Sequence, residues 1–430
     1  MPAPRRRPDP ALAAALVAVA GGVAAALHVG KLPPAIATLQ AALGLTLVQA
    51  GFLLSLVQLA GMSAGVAFGV AADALGDRRS MLVGLVLLAL ASALGGLAET
   101  AGVLLALRAL EGCGFLLVVL AAPAVVRRLT PPERLPLLLG VWGAYMPLAT
   151  ALALLVGPWV IGLAGWRAWW WLLAAVALAM AVWLARVVPA IPVLPAMPAL
   201  PAHEAPPARR ASAGARLRRT LGSSGPWLVA LCFAAYSGQW LAVIGFLPVI
   251  FVQAGVSAAA TGALTALAAA VNMLGNIGAG RALQRGVAPE RLLRLGYAAM
   301  ALAALVAYGG EGLVPPWLRF VAVLFFSGLG GMIPATLFAL AVRVAPGEGT
   351  LGTTIGFVQQ WSACGQFAGP PLAAWVASRA GGWQWTWAVT GAASLIGLVL
   401  VALLVRRLRA GRSGSAAPGG HSAPGAPTAP

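Results

Sequence analysis

Four ionisable side chains interrupt the apolar stretches of this sequence: His28 and Lys31, three residues apart, and Arg108 and Glu111, also three apart. On a helix that spacing puts each pair on one face. A charge placed in hydrocarbon costs about 2.5–3.5 kcal/mol on insertion scales, so such groups mark places where something is bound. Lys31, Arg108 and His28 can supply positive charge, and Glu111 is the one carboxylate beside them. A set richer in cations than in carboxylates suits a small anion, which Arg can grip through two parallel hydrogen bonds and Lys attracts as a point charge. Glu111 is the candidate for proton coupling. Each group also has a structural alternative. Lys31 reaches the membrane interface if its helix ends near Gly30, Arg108 and Glu111 neutralise each other as a pair, and His28 packs between helices.

Helices must hold these groups. Of 430 residues 61% are hydrophobic and 9% charged, and the mean hydropathy is +0.91; so little charge cannot cover a water-exposed surface. The chain reads as an all-α membrane protein. Its apolar runs match a hydrocarbon core of roughly 30 Å, and the alternating strands of a membrane barrel are absent. Twelve spans are expected, six between 11 and 188 and six between 226 and 408, the first running from 11 to 42. Thr46 with Gln49 three residues on, and Ser257 at the matching later position, mark helix starts. Residues 189–225, rich in Pro and then in Arg, read as a cytoplasmic linker through which no helix runs. Residues 409–430 read as a disordered cytoplasmic tail.

The net charge of +18 would suit a nucleic-acid surface, but its distribution does not. With Arg5, Arg6 and Arg7 in the cytoplasm and each run crossing once, all 28 basic residues except Lys31, Arg108, Arg167, Arg319 and Arg379 fall on the cytoplasmic side. The positive-inside rule accounts for this, and no nucleic-acid partner is implied. Both termini are then cytoplasmic and the partner surface is the lipid bilayer. A single Lys among so many Arg points to a GC-rich bacterial genome, hence to the cytoplasmic (inner) membrane. Cys113, Cys232 and Cys364 share no short spacing, so no metal site, cofactor or disulfide framework is indicated. Trp166, Trp169, Trp170, Trp171, Trp383, Trp385 and Trp387 fall at the outer face; an interfacial aromatic belt is expected, with a ligand cage as the alternative.

A shift of 211 residues sets Gly44 on Gly255, Gly51 on Gly262, Gly69 on Gly280, Arg108 on Arg319 and Pro123 on Pro334. The two sets of six are therefore pseudo-symmetric repeats, an architecture with its site between the halves near the bilayer midplane. The same shift sets His28 on Gln239, beside Tyr236. Tyr236 and Gln239 thus join the candidate substrate contacts, as do Gln359 and Gln360 of the eleventh span. The Gln residues there, with Asn272 and Asn276, also serve as interhelical hydrogen-bond donors on the alternative reading.

The turn after the second span reads Gly69-Val-Ala-Ala-Asp73-Ala-Leu-Gly76-Asp77-Arg78-Arg79. It resembles the signature loop of the major facilitator superfamily, with Gly69, Asp73, Gly76, Arg78 and Arg79 matching and Ala74 and Asp77 departing. The second-half copy, Gly280 to Gly286, has Gln284 at the Asp position. Arg108 with Gly112 and Gly114 is similar to the superfamily's fourth-helix pattern, and Gly157-Pro158 with Gly162 partly matches its antiporter motif, where Ala153 stands in place of the upstream Gly. The stretch Leu27 to Gln40 resembles the cyanate and anion permease-like branch. The resemblance implies a conformational latch at the signature loop and a cavity lined by helices one, four, seven and ten, which carry Lys31, His28, Arg108, Tyr236 and Gln239.

The expected protein is a monomeric secondary transporter of a small anion, working by alternating access and linked to protons through Glu111. Residues 1–188 would rock against 226–408. A proton-driven exporter of drugs or metabolites is the alternative. A membrane enzyme would need a nucleophile with a base or a set of metal ligands, and a nucleotide-driven pump a Gly-rich loop ending in Lys; the sequence offers neither.

Overall fold

The computed structural model describes residues 10–65, 75–131, 134, 138, 141–189, 213–347 and 350–415, and among these there is no strand. The first half holds α1 (Pro10–Gly30), α2 (Ile36–Leu43), α3 (Leu47–Gly65), α4 (Asp77–Gly95), α5 (Ala101–Leu129) and α6 (Tyr145–Val187). After α7 (Ala213–Leu221) come α8 (Ser224–Gln253), α9 (Ala258–Gln284), α10 (Pro289–Gly309), α11 (Pro316–Val344), α12 (Leu351–Ala380) and α13 (Thr386–Ser415).

Caps set the starts of several helices. Thr46 and Gln49 form a reciprocal capping box on α3, and the Ser257 hydroxyl accepts from the backbone of Ala260 at the start of α9. Pro289 and Pro316 open α10 and α11, where a missing N–H costs nothing. Ten of these stretches are long and apolar enough to cross a membrane. The 43-residue α6 is two crossings, because Gly165 (φ 81°, ψ 168°) reverses the chain. Its first limb packs by Thr150 on Gly30, whereas its second limb returns to bring Ala185 and Val188 onto Arg78. With α12, whose Gln359, Gln360 and Gln366 lower its hydropathy, the described residues hold twelve spans.

Apart from the first span, two segments differ from the sequence reading. The final part of the Arg-rich linker is helical (α7), because the Pro repeats end before it and Ala, Arg and Leu favour helix. Likewise α13 runs to Ser415, past the expected start of the tail at 409.

The repeat is visible in the backbone. Gly44 and Gly255 both close turns in the left-handed region, at φ 63° and 76°, and Gly76 and Gly286 both lie at φ 82°. One apolar cluster fills the first half around Leu85, Val118 and Leu184, and a second fills the other half around Phe233, Tyr297 and Leu337. A third joins the halves at the Trp-rich end through Leu32, Leu53, Leu54, Phe246 and Val249.

At that end each half presses a glycine against a proline-bearing helix of the other. A Cβ on Gly51 would lie 2.9 Å from Cα of Pro371, and one on Gly262 3.1 Å from Cγ of Pro158. Small residues are what allow such close approach where lipid offers no hydrophobic drive to associate. Further along the same helices Gln58 Nε2 donates to Gln366 Oε1 at 3.0 Å and Gln360 Nε2 to the carbonyl of Met62 at 2.8 Å. Beyond, toward the Arg-rich end, Gly65, Gly278, Gly280, Gly352 and Gly356 face open space. Among the described residues the close approach of the two halves is therefore at the Trp-rich end. Val at Gly51 is accordingly expected to force the closed end apart. In a background with the native Cys replaced, a Cys at the buried position Leu54 should then react with a water-soluble maleimide about tenfold faster, the scale of a 1–3 kcal/mol overpacking cost.

Candidate functional site

The site begins with a helix that stops early. The sequence reading ran the first span to 42 with Lys31 within it, and the span does run from Pro10 to Leu43, but its helix is interrupted: α1 ends at Gly30, followed by a turn at Lys31-Leu32 and a 3₁₀ turn at Pro33–Ala35. Proline at 33 and 34 has no N–H to continue the ladder, which leaves backbone carbonyls before it short of donors. Arg108 of α5 supplies them. Its Nη1 donates to the carbonyl of His28, its Nη2 to that of Val29 at 3.4 Å, and its Nε to that of Leu53 on α3 at 3.0 Å. The indole of Trp169 donates to the carbonyl of Lys31 at 3.1 Å.

The broken end of α1 turns Lys31 inward. Its side chain is fully buried, so the interfacial reading of Lys31 does not hold. The ammonium is ion-paired with Oε1 of Glu111, and Oε2 of the same carboxylate accepts from Arg108 Nη1 at 2.7 Å. Ser92 Oγ on α4 accepts from Lys31 at 2.9 Å and donates to the carbonyl of Trp170 at 2.9 Å. The face of the Trp170 ring lies 4.6 Å from the ammonium. His28 sets its Nδ1 3.7 Å from Glu111 Oε1, and neither ring nitrogen has a hydrogen-bond partner. The pocket beside these groups, lined by Leu32, Leu53, Leu104, Arg108, Glu111 and Trp170 among others, has no room for a water molecule.

His28, Lys31, Arg108 and Glu111 therefore form one dry cluster inside the first half. Tyr236 and Gln239 make their bonds within the second half: Asn272 donates to the Tyr236 hydroxyl at 3.0 Å, and Ser394 donates to Gln239 Oε1 at 3.0 Å. Gln360 bridges the halves through Met62, as described, and Gln359 is half-buried on the same helix. Of the seven outer Trp, Trp166, Trp169 and Trp170 are buried within the protein, while Trp171 and Trp385 are half exposed.

At the signature loop Gly69 and Asp73 lie outside the described residues. Gly76 opens α4, Arg78 donates to the carbonyls of Val188 and Ala185 at 2.8 and 2.7 Å, and Arg79 is exposed. Asp77, which departs from the loop pattern, pairs with Arg128 at the end of α5 at 3.0 Å. Sequence reasoning missed Ser92 and this Asp77–Arg128 pair, and it singled out Trp169 and Trp170 without their contacts to Lys31.

The sequence profile of the Major Facilitator Superfamily matches residues 12–350 and 229–428. The chain belongs to the major facilitator superfamily. Among its relatives, the cyanate transport protein CynX of Escherichia coli (strain K12) is 25% identical over 334 residues, 76% of this chain and 80% of that one. An uncharacterised MFS-type transporter of Mycobacterium tuberculosis (strain H37Rv) is 32% identical over 158 residues, 37% of this chain and 23% of that protein. The fold is shared with a bacterial homologue of the human lysosomal transporter Spinster, solved inward-facing and occupied (TM-score 0.73, 14% identity, 92% of this chain and 96% of that one). It is shared too with a D-xylose–proton symporter (TM-score 0.69, 16% identity, 91% and 96%). As a member of this superfamily the chain is a multi-pass membrane protein, and it spans about a quarter of the length of the mycobacterial relatives it matches.

The charge arrangement makes an unequal prediction for stability. Glu111→Gln leaves two buried cations facing one another and is expected to cost about 3–5 kcal/mol, whereas Lys31→Met leaves the Arg108–Glu111 pair intact and is expected to cost much less. Thermal unfolding in detergent should rank Lys31→Met well above Glu111→Gln; the reverse order would show that Glu111 is not what holds the cluster.

Proposed function

We propose that the solute is a small monovalent anion and that it binds at Lys31 and Arg108. The observation that carries this reading is the balance of the buried cluster, two cationic side chains against one carboxylate, before His28 is counted. Glu111 already spans both cations as a carboxylate ligand would, so an arriving anion takes its place rather than adding to it. Similarity to a cyanate transport protein supports the same class of substrate. Once displaced, the Glu111 carboxylate loses both partners and is neutralised by a proton, with His28 the neighbouring titratable group; anion and proton then move together.

The Arg-rich end is cytoplasmic on the positive-inside rule, which puts both termini in the cytoplasm of a bacterial inner membrane. Transport proceeds by rocking residues 1–188 against 226–408. The protein acts as a monomer, and Gly76, Arg78 and Arg79, with Gly69 and Asp73, act as the latch.

The test is uptake into proteoliposomes holding a pH-sensitive dye, challenged with cyanate, formate and a panel of lipophilic cations. Saturable cyanate uptake accompanied by acidification of the lumen is expected. Lys31→Met should lower kcat/KM about a hundredfold, the scale of a charge-assisted contact of about 3 kcal/mol. Glu111→Gln should uncouple anion from proton movement. Transport of lipophilic cations that survives Lys31→Met would overturn the anion reading in favour of an exporter.

A further inference from the structure

The contacts of Lys31 point away from the second half of the molecule. Its ammonium lies against Ser92 on α4 and Trp170 on the second limb of α6. Both elements pack within the first half: α4 against α1, α5 and α6, and the second limb of α6 against α4 through Trp170, Trp171, Ala185 and Val188. Leu32 and Leu53, which line the pocket beside Arg108 and Glu111, belong to the apolar cluster that joins the halves through Phe246 and Val249.

Ser92 is built for holding an ammonium. Its hydroxyl hydrogen is committed to the carbonyl of Trp170, so the oxygen lone pairs are turned to Lys31. The Trp170 ring adds the electron-rich face that attracts a cation where water is excluded. Neither side chain touches Arg108 or Glu111 in any hydrogen bond, so their polar contacts are with Lys31 and with each other.

We propose that Ser92 and Trp170 form a berth that keeps the Lys31 ammonium retracted into the first half, so that anion binding must draw Lys31 out and the berth sets the affinity. This rests on the anion reading above. Ser92 and Trp170 are positioning residues, and weakening the berth strengthens binding, the opposite of what loss of a substrate contact would do.

Two measurements on the full-length protein test it. In proteoliposomes Ser92→Ala should lower the KM for cyanate about tenfold, the equivalent of one hydrogen bond to a charged group, with kcat within about twofold of wild type. Ser92→Thr, which keeps the hydroxyl, should restore the wild-type KM. An unchanged or raised KM in Ser92→Ala overturns the affinity-setting role. The second measurement needs no transport. Lys31 is the sole lysine of the chain, and a neutral amine adds across the C=N bond of isocyanic acid to give a substituted urea. Carbamylation by cyanate can therefore be followed by mass spectrometry on the single peptide that holds Lys31. Ser92→Ala should speed it about tenfold, by the same lost hydrogen bond; an equal or slower rate overturns the berth itself. If Lys31→Met moves cyanate with a wild-type KM, or wild type moves none, the anion reading fails while the carbamylation rates still decide the berth.

Discussion

One carboxylate, Glu111, holds the first half of this transporter together electrically. Two unit charges a few Å apart at an effective dielectric near 20 repel by about 4 kcal/mol, and without Glu111 that is the relation of Lys31 to Arg108. Around the carboxylate the surplus positive charge is spread over backbone carbonyls of His28, Val29 and Leu53 and over the Trp170 face. Of these, the Val29 carbonyl lacks its helical donor because Pro33 has no N–H, and Leu53 stands just before the 3₁₀ turn that interrupts α3 at Leu56–Gln58. The helix breaks and the charges are thus one device: each break would cost unsatisfied backbone without Arg108, and Arg108 would be unsatisfied without the breaks.

Much of this was legible in the residues. Caps such as Thr46 with Gln49 are local, and the duplication shows in pairs such as Gly51 with Gly262 because both copies still do the same work at the closed end. The i, i+3 spacing of Arg108 and Glu111 is likewise a local fact that the helix preserves. What failed were questions that hydropathy does not address. The run from 11 to 42 is apolar throughout and forms one span, so the interruption of its helix after Gly30 is written in two prolines and not in polarity, and the turn at Lys31 went unread. The contact of Lys31 with Glu111 joins residues 80 apart in sequence, and no periodicity reports it. Ser92 reads as an unremarked helix residue, and Trp170 at the edge of a span reads as interfacial by composition, because Trp is common at that depth for a different reason. Asp77 read as a departure from a pattern until α5 brought Arg128 to it.

The halves have the same fold and different chemistry. Under the shift of 211, Lys31 falls on Ala242, His28 on Gln239, Glu111 on Ala322 and Arg108 on Arg319. Arg319 is half-buried and donates to the carbonyl of Ala307, in a π-turn of its own half. The interior of the second half is instead a neutral network: Asn272 to Tyr236 and to the Ser327 carbonyl, Trp240 to the Ser327 hydroxyl, and Ser394 to Gln239.

That asymmetry bears on how such a molecule can move. Every member of the charged cluster rides on the first half, so rocking one half on the other changes what covers the cluster without pulling its charges apart. Among the described residues the polar bonds that cross between the halves, Gln58 to Gln366 and Gln360 to the Met62 carbonyl, are neutral. Each is worth about 0.5–1.5 kcal/mol net, against the 3–5 kcal/mol lost when a buried ion pair is left without one partner. A cross-half ion pair would have to be broken in every cycle, in a medium with no water to receive the charges. Keeping the charges on one side and closing the other with glycine against proline leaves an interface held by close packing and weak bonds, which can open and close while the cluster stays intact until an anion replaces Glu111.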